Sequence, residues 1–524
     1  KRGEWQPGVG PPKGLMMISF VLPEILTLIQ TRSSLHHSVE TLGCTRTNSA
    51  HGTLETLFTG KKVAFSPAIA TRRADADALE GIHSDPSHPL TLRVLENVPE
   101  LASWDKWYAH PRLLANGHAH TILAAKLRKT RKVRYHRDLL RTSDGGVLAI
   151  DLLAGIQRVV DPSNKKETIR TVPSSLFTGG ALPGAAEEAG FMSFVRDPPP
   201  LEPDRPMLLL ASGLGGGSQD TYVRSMAATA AERGWQVAVL NMRACGGSPV
   251  TSPRLFSAYR GATDDVRAAV RYLRATRLGG RGLLAAIGWS NSGTILNNAL
   301  AEQATTHAND PSHFIDAGVA YATPLNMPAN SANLQRPFHK TVYDQNLGKS
   351  LRVLWSAARD QYIDGVTGAP MPVPVFLGLG EQTLCETGTF VADDKLACSA
   401  LGIRELDEAV TRRQYGYASV DEYYAAASSD QRLPLIKTPL LLLNAYDDPI
   451  VPGRSLADAI EHAQTNSNIV MAITSHGGHL GWCDRDDPWG GPRWTERVAC
   501  GFLETALQIK VTNDCEHMGC ELFD

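Results

Sequence analysis

The sequence predicts an α/β protein built on a mostly parallel, doubly wound sheet, with a helical insertion late in the chain. Three observations carry this. From Pro206 onward, short apolar runs alternate with segments of helical spacing, the pattern of βαβ units. One run ends in a Gly-Trp-Ser turn directly before a helix-like segment. The alternation lapses over residues 325–436 and then resumes, as it would around a cap inserted between two halves of a sheet.

Residues 1–95 show no sustained period and many small or polar residues, so a poorly ordered leader and linker is expected. Met16 and Met17 are alternative starts to the leading Lys1. The apolar run Ile18 to Ile29 is broken by Pro23 and Glu24 and falls short of the about 20 residues a spanning helix needs. It fits a targeting segment or a membrane-surface anchor. The Ser, Thr, Arg and His-rich text after it weakly resembles an organellar leader, so an intracellular site, membrane-associated or organellar, is expected.

Residues 96–324 read as the first part of the core. Leu139 to Leu153 is a hairpin around Asp144-Gly145-Gly146. The Pro, Gly and Ala-rich stretch 172–206 reads as a loop or insertion. Then Pro206–Ser212, Gln236–Asn241, Leu283–Ile287 and Phe314–Tyr321 read as strands. Their continuous apolar character suits strands covered on both faces. Residues 219–233, Ala262–Arg277 and the segment from Asn291 read as helices. Residues 325–436 form the cap, 437–510 the second part of the core with strands at Pro439–Asn444 and Ile469–Ile473, and 511–524 a tail.

The net charge of −2 supplies no basic field, so nucleic acid is not an expected partner. Eight cysteines spread over 524 residues argue against a disulfide framework. Cys515, His517 and Cys520 fall short of a four-ligand metal set and read as tail. No metal or cofactor is expected.

The chemistry centres on Gly288-Trp289-Ser290-Asn291-Ser292-Gly293. A buried strand ends, glycine allows a sharp turn, and a hydroxyl sits at the tip with a helix N-terminus behind it. That is a nucleophile elbow, in which small neighbours let a strained turn expose the serine. Ser292 stands where glycine is usual, with Gly293 one step later. A serine of ordinary pKa needs a base. The α/β-hydrolase chain order is Ser, acid, His, and both partners follow Ser290. Asp448, before Pro449-Ile450-Val451-Pro452, is the expected acid, with Asp447 the near alternative. His479, in Gly477-Gly478-His479-Leu480-Gly481, is the expected base, with His476 its competitor. The remaining histidines, His118 and His120 among them, read as surface residues.

Two backbone donors are expected to hold the oxyanion: Asn291 N–H after the nucleophile, and Leu214 N–H in Ser212-Gly213-Leu214-Gly215-Gly216-Gly217-Ser218. The same loop fails as a dinucleotide site, since Ser218 occupies the third glycine position and no acid closes the following strand. Arg224 and Arg243 are expected to hold loops through charge-assisted hydrogen bonds. Tyr415, Tyr417, Tyr423 and Tyr424 are expected to pack the cap.

These motifs combine into a resemblance. Asn116-Gly-His-Ala-His-Thr121-Ile-Leu, Gly213–Ser218 with Tyr222-Val-Arg224, and Asn241-Met-Arg243-Ala-Cys245-Gly246 are similar to segments of the YheT-like, or embryogenesis-associated, α/β-hydrolases. So are Gly416–Tyr424 with Ser428-Ser429, Asp447-Asp448-Pro449 and Gly477-Gly478-His479. That group includes abhydrolase domain-containing proteins one, two and three. The resemblance runs over residues 104–508. His120 stands where the group has Gln, and Ser212 where it has His. The resemblance implies a serine esterase acting on acylglycerol, phospholipid or medium-chain fatty acyl esters, sometimes with transfer of the acyl group to an alcohol. The rivals are an acyltransferase using the same triad and a non-catalytic hydrolase scaffold. Peripheral association with a membrane fits the lipid substrates.

Overall fold

Ten strands form one sheet among the residues described in the computed structural model, which are 79–103, 105–156, 192–255, 257–280, 282–376 and 388–518. The strands in chain order are β1 (Gly81–His83), β2 (Val133–Arg141), β3 (Val147–Ile156), β4 (Met192–Val195), β5 (Met207–Ala211) and β6 (Gln236–Asn241). They continue with β7 (Leu284–Trp289), β8 (Ala317–Tyr321), β9 (Val373–Pro374), β10 (Thr389–Phe390), β11 (Leu440–Ala445) and β12 (Ile469–Thr474). β9 and β10 pair separately. The large sheet has the order β1-β12-β11-β8-β7-β5-β6-β3-β2-β4. Its six central strands, β12 to β6 in that order, run parallel. The β2–β3 hairpin extends one edge antiparallel, and β1 closes the other edge antiparallel to β12.

The apolar runs work because both faces of the sheet are covered. Leu208 and Leu210 of β5 point to one face with Val237, Val239, Ala285 and Ile287. Leu209 points to the other with Ala238, Leu240 and Ala286. The helices Thr221–Glu232 and Trp494–Met518 cover the first face, and Ala262–Arg277 and Asn291–Ala304 the second. Each fully buried Leu, Ile or Val in such a core stabilises by about 1.5–3 kcal/mol. Arg243 ties the hairpin turn to the helix Ala262–Arg277, donating to Asp144 and Asp265 at 2.8 Å each. Arg224 donates to the Gln219 carbonyl at 3.1 Å.

Three boundaries differ from the sequence reading. Residues 81–95, assigned to the leader, pack with the core. β1 is a three-residue edge strand, too short for a period, and the helix Pro89–Asn97 starts from His88, a residue that seldom marks a helix start. β4 lies inside the expected loop 172–206 and pairs parallel with β2. The last helix runs to Met518, past the expected tail boundary at 511. The expected leader up to residue 78, the insertion over 172–191 and Cys520 of the tail lie outside the described residues.

Between Met327 and Leu435 the described residues are largely helical, with Met327–Leu334, Gln345–Ala358 and Val420–Ala427 as the longer pieces. Tyr415, Tyr417, Tyr423 and Tyr424 are all buried there. Tyr415 donates to the Leu255 carbonyl at 2.6 Å and Tyr424 to Asp407 at 2.8 Å. Tyr423 and Tyr424 also form part of a cavity wall.

Candidate active site

Ser290 sits where β7 ends and the helix Asn291–Ala304 begins, with φ +52° and ψ −121°. A non-glycine residue held there costs about 1–3 kcal/mol, so its surroundings must enforce it. The Ser290 N–H donates to the Tyr321 carbonyl at 2.8 Å, and its own carbonyl accepts from Gly293 N–H at 2.9 Å. A Cβ at Gly288 would drive into the Ser292 carbonyl, and one at Gly293 into the Thr323 hydroxyl. Both glycines are therefore required by close approach. The glycine-to-serine departure at 292 also has a use, since the Ser292 hydroxyl donates to the Ser212 carbonyl and ties the elbow to the Gly213–Ser218 loop.

The other two expected side chains converge on Ser290. β11 and β12 end on the same edge of the sheet as β7, the edge where ligands bind in parallel α/β sheets. The His479 Nε2 lies 2.9 Å from Ser290 Oγ, and its Nδ1 lies 2.8 Å from Asp448 Oδ2. The Asp448 side chain has no exposure, and its other oxygen accepts the N–H groups of Ile450 and Val451 at 2.7 and 2.9 Å. Asp447 turns away. Its carboxylate meets His476 Nδ1 at 3.0 Å and accepts the Gly478 N–H at 2.9 Å. The two alternatives of the sequence, Asp447 and His476, are thus paired with each other.

Leu214 and Asn291 line the same cavity as Ser290 and His479. Neither of their N–H groups has a protein acceptor among the described residues. The loop packs directly on the nucleophile, for a Cβ at Gly213 would lie 3.4 Å from Ser290 Cβ. Ser212, in place of the group's usual His, bonds through its hydroxyl to Asp220 and, at 2.7 Å, to the Tyr222 hydroxyl. The Tyr222 hydroxyl also accepts Gly213 N–H at 3.2 Å. Burial raises the Asp220 carboxyl above its ordinary value, with its bonds to Ser212, Gly217 and Tyr222 acting in opposition. Burial raises Tyr222 as well.

Several supporting residues escaped the sequence reading. Thr121 accepts the His479 N–H at 2.8 Å and donates to the Gly117 carbonyl at 2.7 Å. A Cβ at Gly117 would overlap the Asp447 carbonyl. The Asn116–Thr121 segment is therefore a clamp on the histidine loop, and its presence among the resembling motifs was the available signal. His120 is a correction, for it is fully buried rather than a surface residue, and burial lowers its pKa to about 4. Its Nδ1 accepts the Cys483 N–H at 3.3 Å. His118 is half-buried, with Nδ1 2.6 Å from the Tyr343 hydroxyl. Among the described residues no cluster of His, Cys, Asp or Glu could hold a metal ion, and no helix is long and apolar enough to cross a membrane.

The cavity measures about 700 Å³ and lies between the sheet edge and the cap. Leu214, Leu334, Leu351, Leu406 and Ile450 make much of its wall apolar, a character suited to an acyl chain.

A mostly parallel sheet, a strained serine at the end of β7 and a His–Asp pair in the loops after β11 and β12 build the α/β-hydrolase fold, and residues 206–349 match the family described as the alpha/beta hydrolase fold. The chain is an enzyme of the carboxylic ester hydrolase class, and the proteins it is similar to include an embryogenesis-associated protein, a monoacylglycerol lipase and the putative esterase YheT of Escherichia coli. It is 29% identical to embryogenesis-associated protein EMB8 of Picea glauca, over 78% of this chain and 74% of that protein. It is 28% identical to a monoacylglycerol lipase of Saccharomyces cerevisiae, over 78% of this chain and 82% of that one. To a medium-chain fatty acid ethyl ester synthase/esterase of the same yeast it is 27% identical, over 70% and 78%.

Proposed function

We propose that the protein hydrolyses lipid carboxylic esters, acylglycerol, phospholipid or medium-chain fatty acyl esters, through a Ser290–His479–Asp448 triad. The observation that carries this is the position of His479, bridging Ser290 Oγ at 2.9 Å and Asp448 Oδ2 at 2.8 Å beside a largely apolar cavity. His479 takes the Ser290 proton as Oγ attacks the ester carbonyl. Asp448 accepts the Nδ1–H and stabilises the imidazolium. The Leu214 and Asn291 N–H groups receive the oxyanion, each such donor contributing about 3 kcal/mol in the transition state. His479 then protonates the leaving alcohol. Water, deprotonated by His479, attacks the acyl-Ser290 carbonyl and releases the acid.

Ser290→Ala tests this. Turnover of a medium-chain ester falls to background while the circular dichroism spectrum and Tm stay those of the parent. Undiminished turnover by that variant contradicts the assignment.

A second reading uses the same residues with an alcohol in place of the water, giving a new ester. The similarity to the yeast ester synthase/esterase favours it. Product analysis with and without added ethanol separates the two: an ethyl ester product supports transfer, and free acid alone supports hydrolysis.

A further inference from the structure

The loop that carries His479 is strained just after that residue. Leu480 and Trp482 have φ of +62° and +37°, in the left-handed region that side chains other than glycine disfavour. Leu480 also lines the cavity beside Ser290 and His479. Such a shape persists only where its surroundings enforce it. Ahead of His479, Asp447 accepts the Gly478 N–H, and Thr121 accepts the N–H of His479 itself. Behind it the tie is Arg128. Its Nη2 donates to the carbonyls of Leu480 and Gly481 at 2.6 and 2.7 Å. Among the described residues no backbone N–H reaches either carbonyl. The Arg128 Nε is buried and has no partner there. An unmet buried donor is costly, so the two carbonyl bonds must outweigh it to hold this pose.

We infer that Arg128 is a positioning residue for the reaction, fixing the His479 ring between Ser290 and Asp448 by holding the Leu480 and Gly481 carbonyls. Arg128 caps the helix Gly117–Leu127, its own N–H donating to the Ala124 carbonyl at 3.2 Å. Thr121 lies seven residues earlier, two turns away on the same side of that helix. One rigid element thus grips the backbone on both sides of His479. The charge strengthens the grip, since a bond from an ionised donor is roughly twice as strong as one between neutral groups. Without it Leu480 can turn toward a more populated backbone conformation, and the imidazole attached one residue before it moves. A misplacement of about 1 Å at a reacting group costs on the order of 10²-fold in rate. Arg128 is not part of the cavity wall, so its influence falls on the chemical step and not on substrate binding.

This inference rests on the proposed hydrolase activity, and the test separates the two. The full chain is assayed on the p-nitrophenyl ester of a medium-chain acid, and the rate of its labelling by a fluorophosphonate is followed. Arg128→Met keeps the stem and removes the donors. It is expected to lower kcat by about tenfold or more, to slow labelling by a similar factor and to leave KM within about twofold. Arg128→Gln is polar but too short to reach the carbonyls. The same split is expected there, and it carries the test if the methionine variant does not fold. Val94→Ala is the control for lost stability. It opens a cavity in the helix Pro89–Asn97, which packs on the last helix, and removes no bond of the His479 loop. It is expected to lower Tm yet keep kcat within about twofold. Wild-type kcat and labelling in the Arg128 variants, a raised KM in place of the lowered kcat, or an equal loss of kcat in Val94→Ala overturns the inference. A wild-type chain inert on the ester and unlabelled by the fluorophosphonate contradicts the hydrolase reading, and this inference with it.

Discussion

The carboxylate of Asp447 accepts the backbone N–H of Gly478 at 2.9 Å, one residue before His479. Adjacent aspartates thus address the same loop at different points, Asp448 at the His479 ring and Asp447 at the backbone that carries it. The structure therefore predicts unequal effects of the same substitution. Asp448→Asn leaves Nδ1 facing an amide and disturbs the tautomer, so kcat falls on the order of 10⁴-fold. Asp447→Asn keeps an acceptor for Gly478, so kcat falls by less than about tenfold. Steady-state kinetics on one ester checks both, and the reverse ranking would exchange the roles.

Ser292 is the second test. Its hydroxyl bonds the Ser212 carbonyl and fixes the distance between the elbow and the loop that carries Leu214. Ser292→Ala removes a buried hydrogen bond worth about 1 kcal/mol. The expected result is a several-fold lower kcat with KM little changed, because the geometry that suffers is that of the oxyanion donors rather than of the cavity.

Gly288→Ala tests the elbow itself. The added methyl meets the backbone carbonyl of Ser292, which has no rotamer with which to yield. Overpacking of this kind costs typically about 1–3 kcal/mol, and here it also shifts Ser290. A lower Tm together with loss of fluorophosphonate labelling is expected.

Asp407, in the cavity wall, predicts a pH dependence of stability. Burial raises its pKa from 3.8 to about 6, opposed by hydrogen bonds from Thr411 and Tyr424. The folded state holds the proton more tightly than the unfolded state, so this stabilisation is complete below pH 4 and is lost as pH rises through about 6. Asp407→Asn cannot ionise and escapes that loss. Its stability relative to wild type is expected to rise between pH 4 and pH 7, by about 3 kcal/mol at most from the 1.36 kcal/mol carried by each pKa unit. Denaturant midpoints at the two pH values read the difference.

Much of this was legible in the sequence because two signals are strong. Strands buried on both faces are written as unbroken apolar runs, so β5 to β7, β11 and β12 could be read within one or two residues of their ends, and β8 within three. The glycines at 288 and 293 mark a turn that admits no side chain. What could not be read depends on contacts between distant segments. β1 is three residues long and has meaning only against β12. The burial of His120 follows from packing beneath the Cys483 loop, 363 residues away in sequence. The bonds of Ser212 to Asp220 and Tyr222, and of Thr121 to His479, pair polar residues whose types fit equally well on a surface. Asp448 is preferred to Asp447 in the sequence by the Pro449–Pro452 run that follows it, but the pairing of Asp447 with His476 and Gly478 has no such signal.

The most direct test of the account is activity-based labelling of the full chain with a fluorophosphonate, followed by peptide mapping of the adduct. One adduct is expected, on Ser290, abolished in Ser290→Ala and strongly slowed in His479→Ala. A folded chain that takes no label, or takes it on another serine, would contradict the claim that Ser290 is an activated nucleophile.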